Sequence, residues 1–399
     1  MLFDAARHEA LVDQAWDEGQ ARALLARIVA DTEARFDDAL GWPAHPNDSS
    51  PADDPAHIGP SLYYGQCGVI WALRYLQRVG AAELKRDWRG QADRLVVRTR
   101  QWLGDDAGRE AASFLMGETP IELLRWNDDP ARASARLVQL IDSNDHHPAR
   151  ELMWGAPGTL LAAWFLHQRT GDEHWRAACR RQAEVLFATL EPFSAAGCLI
   201  STQSLYGSHS TYLGAAHGFA SMVAPVVRAR ALLPEGDWRR WHDTIALTLR
   251  RMATWHEGAV NWRAWVKPPS ARLPLMQFCH GAPGIVLALA DFPGDAVDDL
   301  LLAAGEAVWR AGPLAKGSNL CHGTGGNGYT FLRLFERTGD ERWLQRARAF
   351  AMHGLAQTLA DERRHGRLRY SLWTGDPGFA VYLWDCLRGR AAFPTLDVF

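Results

Sequence analysis

Apolar segments that are hydrophobic on every side alternate along this chain with segments whose apolar residues keep to one face. The stretch "GIVLALADF", which starts at Gly284, has almost no polar position and predicts a helix that is buried all round. In "DERWLQRARAFAMHGLAQTLADE", Trp343, Ala347 and Phe350 recur at roughly helical spacing, which predicts an outer, amphipathic helix. Strand signals are weak throughout. The pattern therefore predicts an all-α protein with inner and outer helices.

The inner helices share a starting motif, in which an apolar or aromatic residue and a glycine stand shortly before the helix. Glycine permits turn conformations that other residues resist, and it lets two backbones approach closely. The repeat predicts an (α/α) toroid, in which the N-terminal ends of the inner helices meet at one mouth. Helix hairpins stacked in a solenoid are the alternative. The key glycines are Gly65, Gly117, Gly155, Gly218, Gly281, Gly323 and Gly375.

One domain is expected to span residues 1–399, with the seven repeats in residues 61–399. Residues 1–60 are expected to form an N-terminal helix and a linker. The Pro- and Asp-rich stretch "HPNDSSPADDPAH" in this segment predicts either a loop over the mouth or a simple connection.

Composition excludes several classes of function. The 399 residues are 47% hydrophobic and 22% charged, which is enough to bury a large core. A formal charge of −3 without long single-sign runs disfavours nucleic acid or an anionic membrane as a partner. The N-terminus lacks a basic-then-apolar signal, and no apolar run approaches the ~20 residues of a membrane span. We therefore expect a cytoplasmic protein without an integral membrane segment.

The cysteines suggest a metal site. Six of them are scattered over the chain, which favours metal or thiol chemistry over a disulfide framework. Cys279 stands just before the fifth key glycine, and Cys321 and His322 stand just before the sixth. Two thiolates and an imidazole suit Zn²⁺, and three protein ligands with an open fourth position are typical of catalytic zinc. His280 is expected to pack or to hydrogen-bond a ligand, and without the toroid the cysteines would be ordinary buried apolar residues.

Two further polar residues occupy the same position in other repeats. His217 precedes the fourth key glycine, where it would face the mouth and act as a general acid or base. A satisfied core histidine is the alternative. Glu151 begins the third repeat loop, where it either orients His217 or caps the inner helix.

In their order along the chain, these motifs resemble those of the lanthionine synthetase C-like family. The similar stretches run from about residue 60 to the C-terminus and include "LYYGQCG", "ELMWGAPG", "YLGAAHG", "FCHGAPGI", "LCHGTGGNGY" and "YSLWTGDPGFAVYLWDCL". The resemblance, closest to the stand-alone eukaryotic-type branch, implies a double toroid of seven inner and seven outer helices. It also implies a zinc ion held by Cys279, Cys321 and His322.

The resemblance further implies an activity. In the family, a zinc-bound thiol adds to dehydroalanine or dehydrobutyrine in a peptide or protein and makes a thioether. His217 matches the acid/base histidine, Glu151 its neighbouring carboxylate, and Arg272 an arginine near the site. The donor is a cysteine of the same peptide in the bacterial cyclases, whereas the stand-alone branch is associated with glutathione.

Glutathione recognition would fall to basic residues. Lys316 matches a lysine that contacts glutathione in the stand-alone branch. The loop "ERRHGRLRYSL" is shorter here than in those relatives, and Arg367 or Arg369 would have to take over its contact. On sequence alone, each of these cations is equally a solvated surface residue.

Two other functions remain open at this point. A zinc- and glutathione-binding regulatory protein would need the metal ligands but not His217. A toroidal glycosidase would need two carboxylates across the cavity, for which Glu151, Glu118 and Asp376 are available, and it would leave the cysteines without a role.

Overall fold

The computed structural model describes residues 1–48, 56–267 and 272–399. Part of the stretch "HPNDSSPADDPAH", residues 49–55, lies outside the described residues. The chain divides into two compact units. The first unit comprises Met1–Ala6, Ala112–Leu115 and Ala135–Ala311, and the second comprises Arg7–Ala111, Met116–Ser134 and Gly312–Phe399.

The described residues are predominantly helical, which confirms the predicted all-α class. The α-helices are α1 (Glu18–Ala34), α2 (Gln66–Arg78), α3 (Ala92–Leu103), α4 (Ala107–Glu110), α5 (Thr119–Trp126), α6 (Pro130–Ser143), α7 (Ala156–Thr170), α8 (Glu173–Ala188), α9 (Phe219–Arg228), α10 (Glu235–Met252), α11 (Ala282–Leu289), α12 (Asp298–Ala311), α13 (Thr324–Thr338), α14 (Glu341–His365) and α15 (Asp376–Arg388).

Each predicted glycine motif leads into a helix. The key glycine is the residue immediately before α2, α7, α9, α11, α13 and α15, and α5 begins two residues after Gly117. Gly281 shows why the position is restricted: its φ is +111°, and a Cβ there would overlap the carbonyl oxygen of Leu275. A side chain is therefore excluded both by backbone conformation and by space.

Buried helices pack against amphipathic ones within each unit. All eight residues of α11 are buried, and in the first unit α11 packs on α12 and α7 packs on α8. In the second unit α13 packs on α14, and α1 packs on α15. The distinction between inner and outer helices is thus present in each unit, as the hydrophobic pattern predicts.

Short strands occur in the first unit, where the sequence pattern shows no clear strand signal. Four of them form two antiparallel hairpins: β1 (Glu191–Phe193) pairs with β2 (Cys198–Ile200), and β5 (Thr254–His256) pairs with β6 (Ala259–Asn261). A three-stranded antiparallel sheet has the order β3 (Gln203–Leu205), β4 (Ser208–Tyr212) and β7 (Trp265–Lys267). These segments are three to five residues long, too short to show a periodicity of two. Among the described residues, no helix is both long and apolar enough to cross a membrane.

Candidate active site

A buried carboxylate lies in the loop that leads into α7. Glu151 is fully buried, and its side chain accepts hydrogen bonds from the backbone N–H of Met153 at 2.9 Å and of Trp154 at 2.7 Å. Both donors lie within three residues of Glu151, so the loop itself orients the carboxylate. The predicted contact with His217 is present, whereas the backbone donors to Glu151 lie in its own loop and not in the first turn of α7, which begins at Ala156.

His217 lies against this carboxylate in the loop before α9. Its Nδ1 donates to Oε2 of Glu151 at 2.9 Å, and the side chain is 19% exposed. Burial lowers the pKa of His217, but the hydrogen bond and negative charge of Glu151, with a smaller contribution from Cys279, raise it above its usual value. Because Nδ1 is committed to Glu151, Nε2 is the nitrogen available for proton exchange.

Aromatic rings surround His217. The ring centroids of Tyr206 and Tyr212 lie 6.2 and 6.1 Å from that of His217, and the centroid of His280 lies 6.4 Å away. Tyr206 lies in the turn between β3 and β4, where its hydroxyl accepts a hydrogen bond from Trp154 Nε1 at 3.1 Å. The sequence analysis missed both tyrosines, although "LYGSHSTYLGAAHG" places them close to the histidine in the chain.

Cys279 lies in the loop before α11, also in the first unit. Its side chain is buried, and Gln277 Nε2 donates to its Sγ at 2.9 Å. The carbonyl of Cys279 accepts a hydrogen bond from Ala216 N–H at 3.4 Å, which ties this loop to the one that carries His217. Arg272 occupies an exposed position at the start of the same loop. Gln277 was not among the predicted residues.

His280, the neighbour of Cys279, is held mainly by packing. Burial, and to a smaller extent the charge of His217, lower its pKa to about 4. Its Nδ1 is buried and makes no hydrogen bond within the described part of the chain. The ring is therefore neutral near pH 7 and lies beside that of His217.

Cys321 lies in the second unit, where three glycine loops are joined. The Tyr63 hydroxyl donates to Cys321 Sγ at 2.8 Å. The backbone N–H of Cys321 donates to the carbonyl of Trp373 at 2.9 Å, and Trp373 N–H donates in turn to the carbonyl of Tyr63 at 3.0 Å. The loops before α2, α13 and α15 thus fix the position of one thiol. Tyr63 precedes the first key glycine by two residues, but its contact with Cys321 was not predicted.

His322 and Lys316 line a cavity of about 330 Å³ in the second unit. Burial, followed by the positive charges of Lys316 and Arg369, lowers the pKa of His322 to about 4, so the ring is neutral near pH 7. Lys316 is exposed at this cavity, and Asn319 joins the two residues by donating to Lys316 O and accepting from His322 N–H, each at 3.0 Å.

The predicted arginines are used differently. Arg369 lines the cavity and pairs with Asp48 at 2.6 Å. Arg367 instead donates to the carbonyl of Ala44 at 3.1 Å and does not line the cavity. Arg364, which the sequence analysis did not select, lines it. Arg364 lies in the last turn of α14, whereas Arg367 lies beyond the end of that helix. The backbone path at the helix end therefore determines which of the two arginines lines the cavity.

The predicted ligands are of the types that zinc binds, with Cys279 in the first unit and Cys321 and His322 in the second. Cys279 and Cys321 are buried thiols whose sulfurs accept hydrogen bonds from Gln277 and Tyr63, and His322 is held neutral, as a metal ligand must be. Hydrogen bonds to ligand sulfurs are typical of protein metal centres, where they orient and tune the ligands.

The carboxylates required by the glycosidase alternative have other partners. Glu118 is buried in a bidentate pair with Arg100, at 2.7 and 3.1 Å. Such a pair stabilises the ionised form and opposes a role as general acid. Burial raises the pKa of Asp376 to about 7, and its Oδ2 accepts a hydrogen bond from Arg369 N–H.

Comparisons with known proteins agree with the motifs. A family model described as lanthionine synthetase C-like protein matches residues 57–398. A zebrafish (Danio rerio) relative named glutathione S-transferase LANCL1 is 28% identical over 330 residues, which cover 75% of each chain. An Arabidopsis thaliana relative named LanC-like protein GCL1 is 31% identical over 255 residues, 59% of this chain and 54% of the relative. The helix-rich architecture is consistent with the helical toroid of this family.

Proposed function

The chain belongs to the lanthionine synthetase C-like family, and we propose that it catalyses a zinc-dependent addition of a thiol to dehydroalanine or dehydrobutyrine in a peptide or protein. The observation that carries the proposal is the pair of His217 and Glu151, which raises the pKa of a partly exposed histidine beside the Cys279 loop. A protein that only bound zinc and glutathione would have no need of such a group.

We propose Cys279, Cys321 and His322 as the zinc ligands. Zinc bound there would hold the substrate thiol as its thiolate, whereas a free thiol with a pKa near ~8.5 is mostly protonated at neutral pH. The neutral state of His322 and the hydrogen bonds from Tyr63 and Gln277 prepare these ligands.

His217 and Glu151 then supply the proton that the addition requires. Attack of the thiolate on the β-carbon forms the C–S bond and moves the π-electron pair onto the α-carbon and its carbonyl group as an enolate. His217 donates its Nε2 proton to the α-carbon, while Glu151 stabilises the imidazolium before transfer and holds the ring in place through Nδ1. The thiol releases its proton to solvent when it becomes a thiolate, and His217 takes up one proton from solvent after the transfer, so that S–H and C=C become C–S and C–H overall.

We propose glutathione as the thiol donor. The cavity beside His322 presents Lys316 and, at an exposed position, Arg364, which suits a donor that carries carboxylates, whereas Arg369 lines the cavity but is paired with Asp48. The name of the zebrafish relative supports this assignment. A peptide cysteine is the competing donor, and it would make the protein a cyclase.

The experiment compares His217→Asn with the wild type on a dehydroalanine peptide and glutathione, with adduct mass and bound zinc as readouts. We expect the variant to keep its zinc and to lose adduct formation by about 10²–10⁴-fold. His242→Asn is the matched control, because His242 also contacts a carboxylate, Asp243 at 3.0 Å, but lies on the outer helix α10.

Two results would contradict the proposal. Equal adduct formation by the wild type and His217→Asn would remove the histidine from the reaction. Zinc binding with no adduct from glutathione or from a peptide that carries its own cysteine would favour a regulatory binding protein.

A further inference from the structure

A second group of metal-ligand side chains lies in the second unit, apart from the cysteines. His45, Asp361 and His365 each offer one ligand atom, and these atoms all lie within 4.8 Å of one another. Asp361 and His365 are one helical turn apart on the last turns of α14, whereas His45 comes from a segment more than 300 residues earlier. His45 is 1% exposed, and the other two residues are partly exposed.

The segment that carries His45 is anchored on both sides of it. Asp48 Oδ2 accepts a hydrogen bond from His45 N–H at 3.0 Å, and Asp48 Oδ1 pairs with Arg369 at 2.6 Å. Arg367 donates to the carbonyl of Ala44 at 3.1 Å. The loop after α14 therefore holds residues 44–48 against the end of that helix, which gives His45 a defined position.

The distance between His365 and Asp361 suits coordination better than it suits hydrogen bonding. His365 Nε2 and Asp361 Oδ1 are 3.4 Å apart. Charge-assisted hydrogen bonds are shorter, about 2.7–2.9 Å. Two ligand atoms that are each ~2.1 Å from a tetrahedral metal lie about 3.4 Å from each other. The imidazole of His45 packs edge-on against that of His365, with ring centroids 4.6 Å apart.

The charges near the group allow a cation. Arg364 Nη1 is 4.0 Å from Asp361 Oδ1, but the Arg364 side chain is 74% exposed, so that solvent screens its charge. The charge of Arg369 is balanced by Asp48.

The geometry points to a second site for a divalent transition metal of borderline softness, such as Zn²⁺, with His45, Asp361 and His365 as its protein ligands. Two imidazoles and one carboxylate are a donor set found in both zinc and iron sites. Within the structure Nδ1 of His45 accepts a long hydrogen bond from Asn47 N–H at 3.2 Å, which would be given up when the ring binds a metal.

Such a metal would join residues 44–48 to the end of α14 beside the cavity. Asn47 and Asp361 both line that cavity, together with His322 and Lys316. Occupancy of the second site is therefore expected to be coupled to the position of the cavity wall. This inference does not depend on the proposed reaction.

The test uses the full chain, stripped with a chelator and titrated with Co²⁺ and, separately, with Zn²⁺. Bound metal is measured after equilibrium dialysis, and the Co²⁺ spectrum is recorded because only a cysteine-ligated cobalt gives an intense thiolate charge-transfer band. We expect His365→Gln and Asp361→Asn each to lose one equivalent of metal and to keep that band. Cys321→Ala should lose the band and keep the other equivalent. His242→Gln, a histidine beside an acid on α10, is the control and should bind as the wild type does.

Wild-type stoichiometry in both His365→Gln and Asp361→Asn would overturn the inference. Far-UV circular dichroism of each variant shows that it is folded, and Asp361 and His365 are both partly exposed, which favours tolerated substitutions. A wild type that binds one equivalent and shows the thiolate band would also overturn it. Absence of the band with one equivalent lost in His365→Gln would support the second site and count against the cysteine site.

Discussion

The buried carboxylate of Glu151 offers the sharpest test of the proposed acid–base pair. Its two oxygens accept three hydrogen bonds, from Met153 N–H, Trp154 N–H and His217 Nδ1. Glu151→Gln keeps the shape of the side chain but removes the charge and turns one oxygen into a donor. The hydrogen bonds from Met153 N–H and His217 Nδ1 both end on Oε2, so the amide oxygen of the substituted side chain is best placed at the Oε2 position. Trp154 N–H, which donates to Oε1 in the wild type, then faces the new NH₂ group.

The magnitude follows from the lost bonds. A donor left without an acceptor in a buried site costs about 1–3 kcal/mol. The two surviving bonds also weaken, because they no longer end on a charged acceptor. We expect Glu151→Gln to reduce the free energy of unfolding by about 2–3 kcal/mol, measured by urea denaturation at pH 6. Glu184→Gln, an exposed glutamate on α8, should change it by less than about 0.5 kcal/mol.

The loss should depend on pH in one direction. Glu151 raises the pKa of His217 in the folded state, so the pair stabilises the fold fully below the unfolded pKa of about 6.5. This stabilisation is lost as the pH rises through the raised pKa of the folded state. The difference between wild type and Glu151→Gln should therefore be largest near pH 6 and smaller at pH 9. Adduct formation by the variant should also begin to fall at a lower pH than in the wild type.

Two outcomes would refute this reasoning. The first is a stability loss no larger than that of Glu184→Gln, which would mean that the carboxylate does not satisfy the buried donors. The second is a loss that stays the same between pH 6 and pH 9, which would mean that Glu151 does not favour the protonated form of His217. In the second case, a general-acid role for the histidine would lose its structural support.

Three other substitutions test separate parts of the structure. Tyr63→Phe removes the hydroxyl that donates to Cys321 Sγ and should weaken zinc binding by about tenfold in a chelator competition. Unchanged zinc affinity would mean that this hydrogen bond does not tune Cys321 as a ligand. Gly281→Ala should destabilise the protein by about 3 kcal/mol or more in urea, since φ is positive and a Cβ would overlap a loop carbonyl, whereas Gly236→Ala, in an open helical position, should stabilise it slightly. Lys316→Gln should lower kcat/KM for glutathione roughly tenfold, mostly by raising KM, because Lys316 lines the cavity. Lys85→Gln is the control at another exposed lysine, and equal kinetics for both variants would exclude Lys316 from binding the thiol donor.

Several site features depend on contacts that no local pattern carries. Tyr63 and Cys321 are 258 positions apart, and their hydrogen bond exists because the loops before α2, α13 and α15 join through backbone hydrogen bonds. The choice between Arg364 and Arg367 depends on where α14 ends. The grouping of His45 with Asp361 and His365 is likewise invisible in the sequence, since Asp361 and His365 alone form an ordinary i, i+4 pair and His45 lies more than 300 positions away.

By itself, the sequence determined the helical class, the starts of the helices that follow the key glycines to within two residues, and the placement of the candidate site residues in glycine loops. These are local properties: a glycine before an apolar run specifies a turn and a buried helix within about 15 residues. Its ordered motifs also determined the family. Only the tertiary structure decided which side chains meet, such as Glu151 with His217 and Tyr206 with Trp154. Hydrogen-bond partners and burial, and hence pKa values, arise from backbone paths that bring distant residues within 3 Å, and no periodicity along the chain encodes those paths.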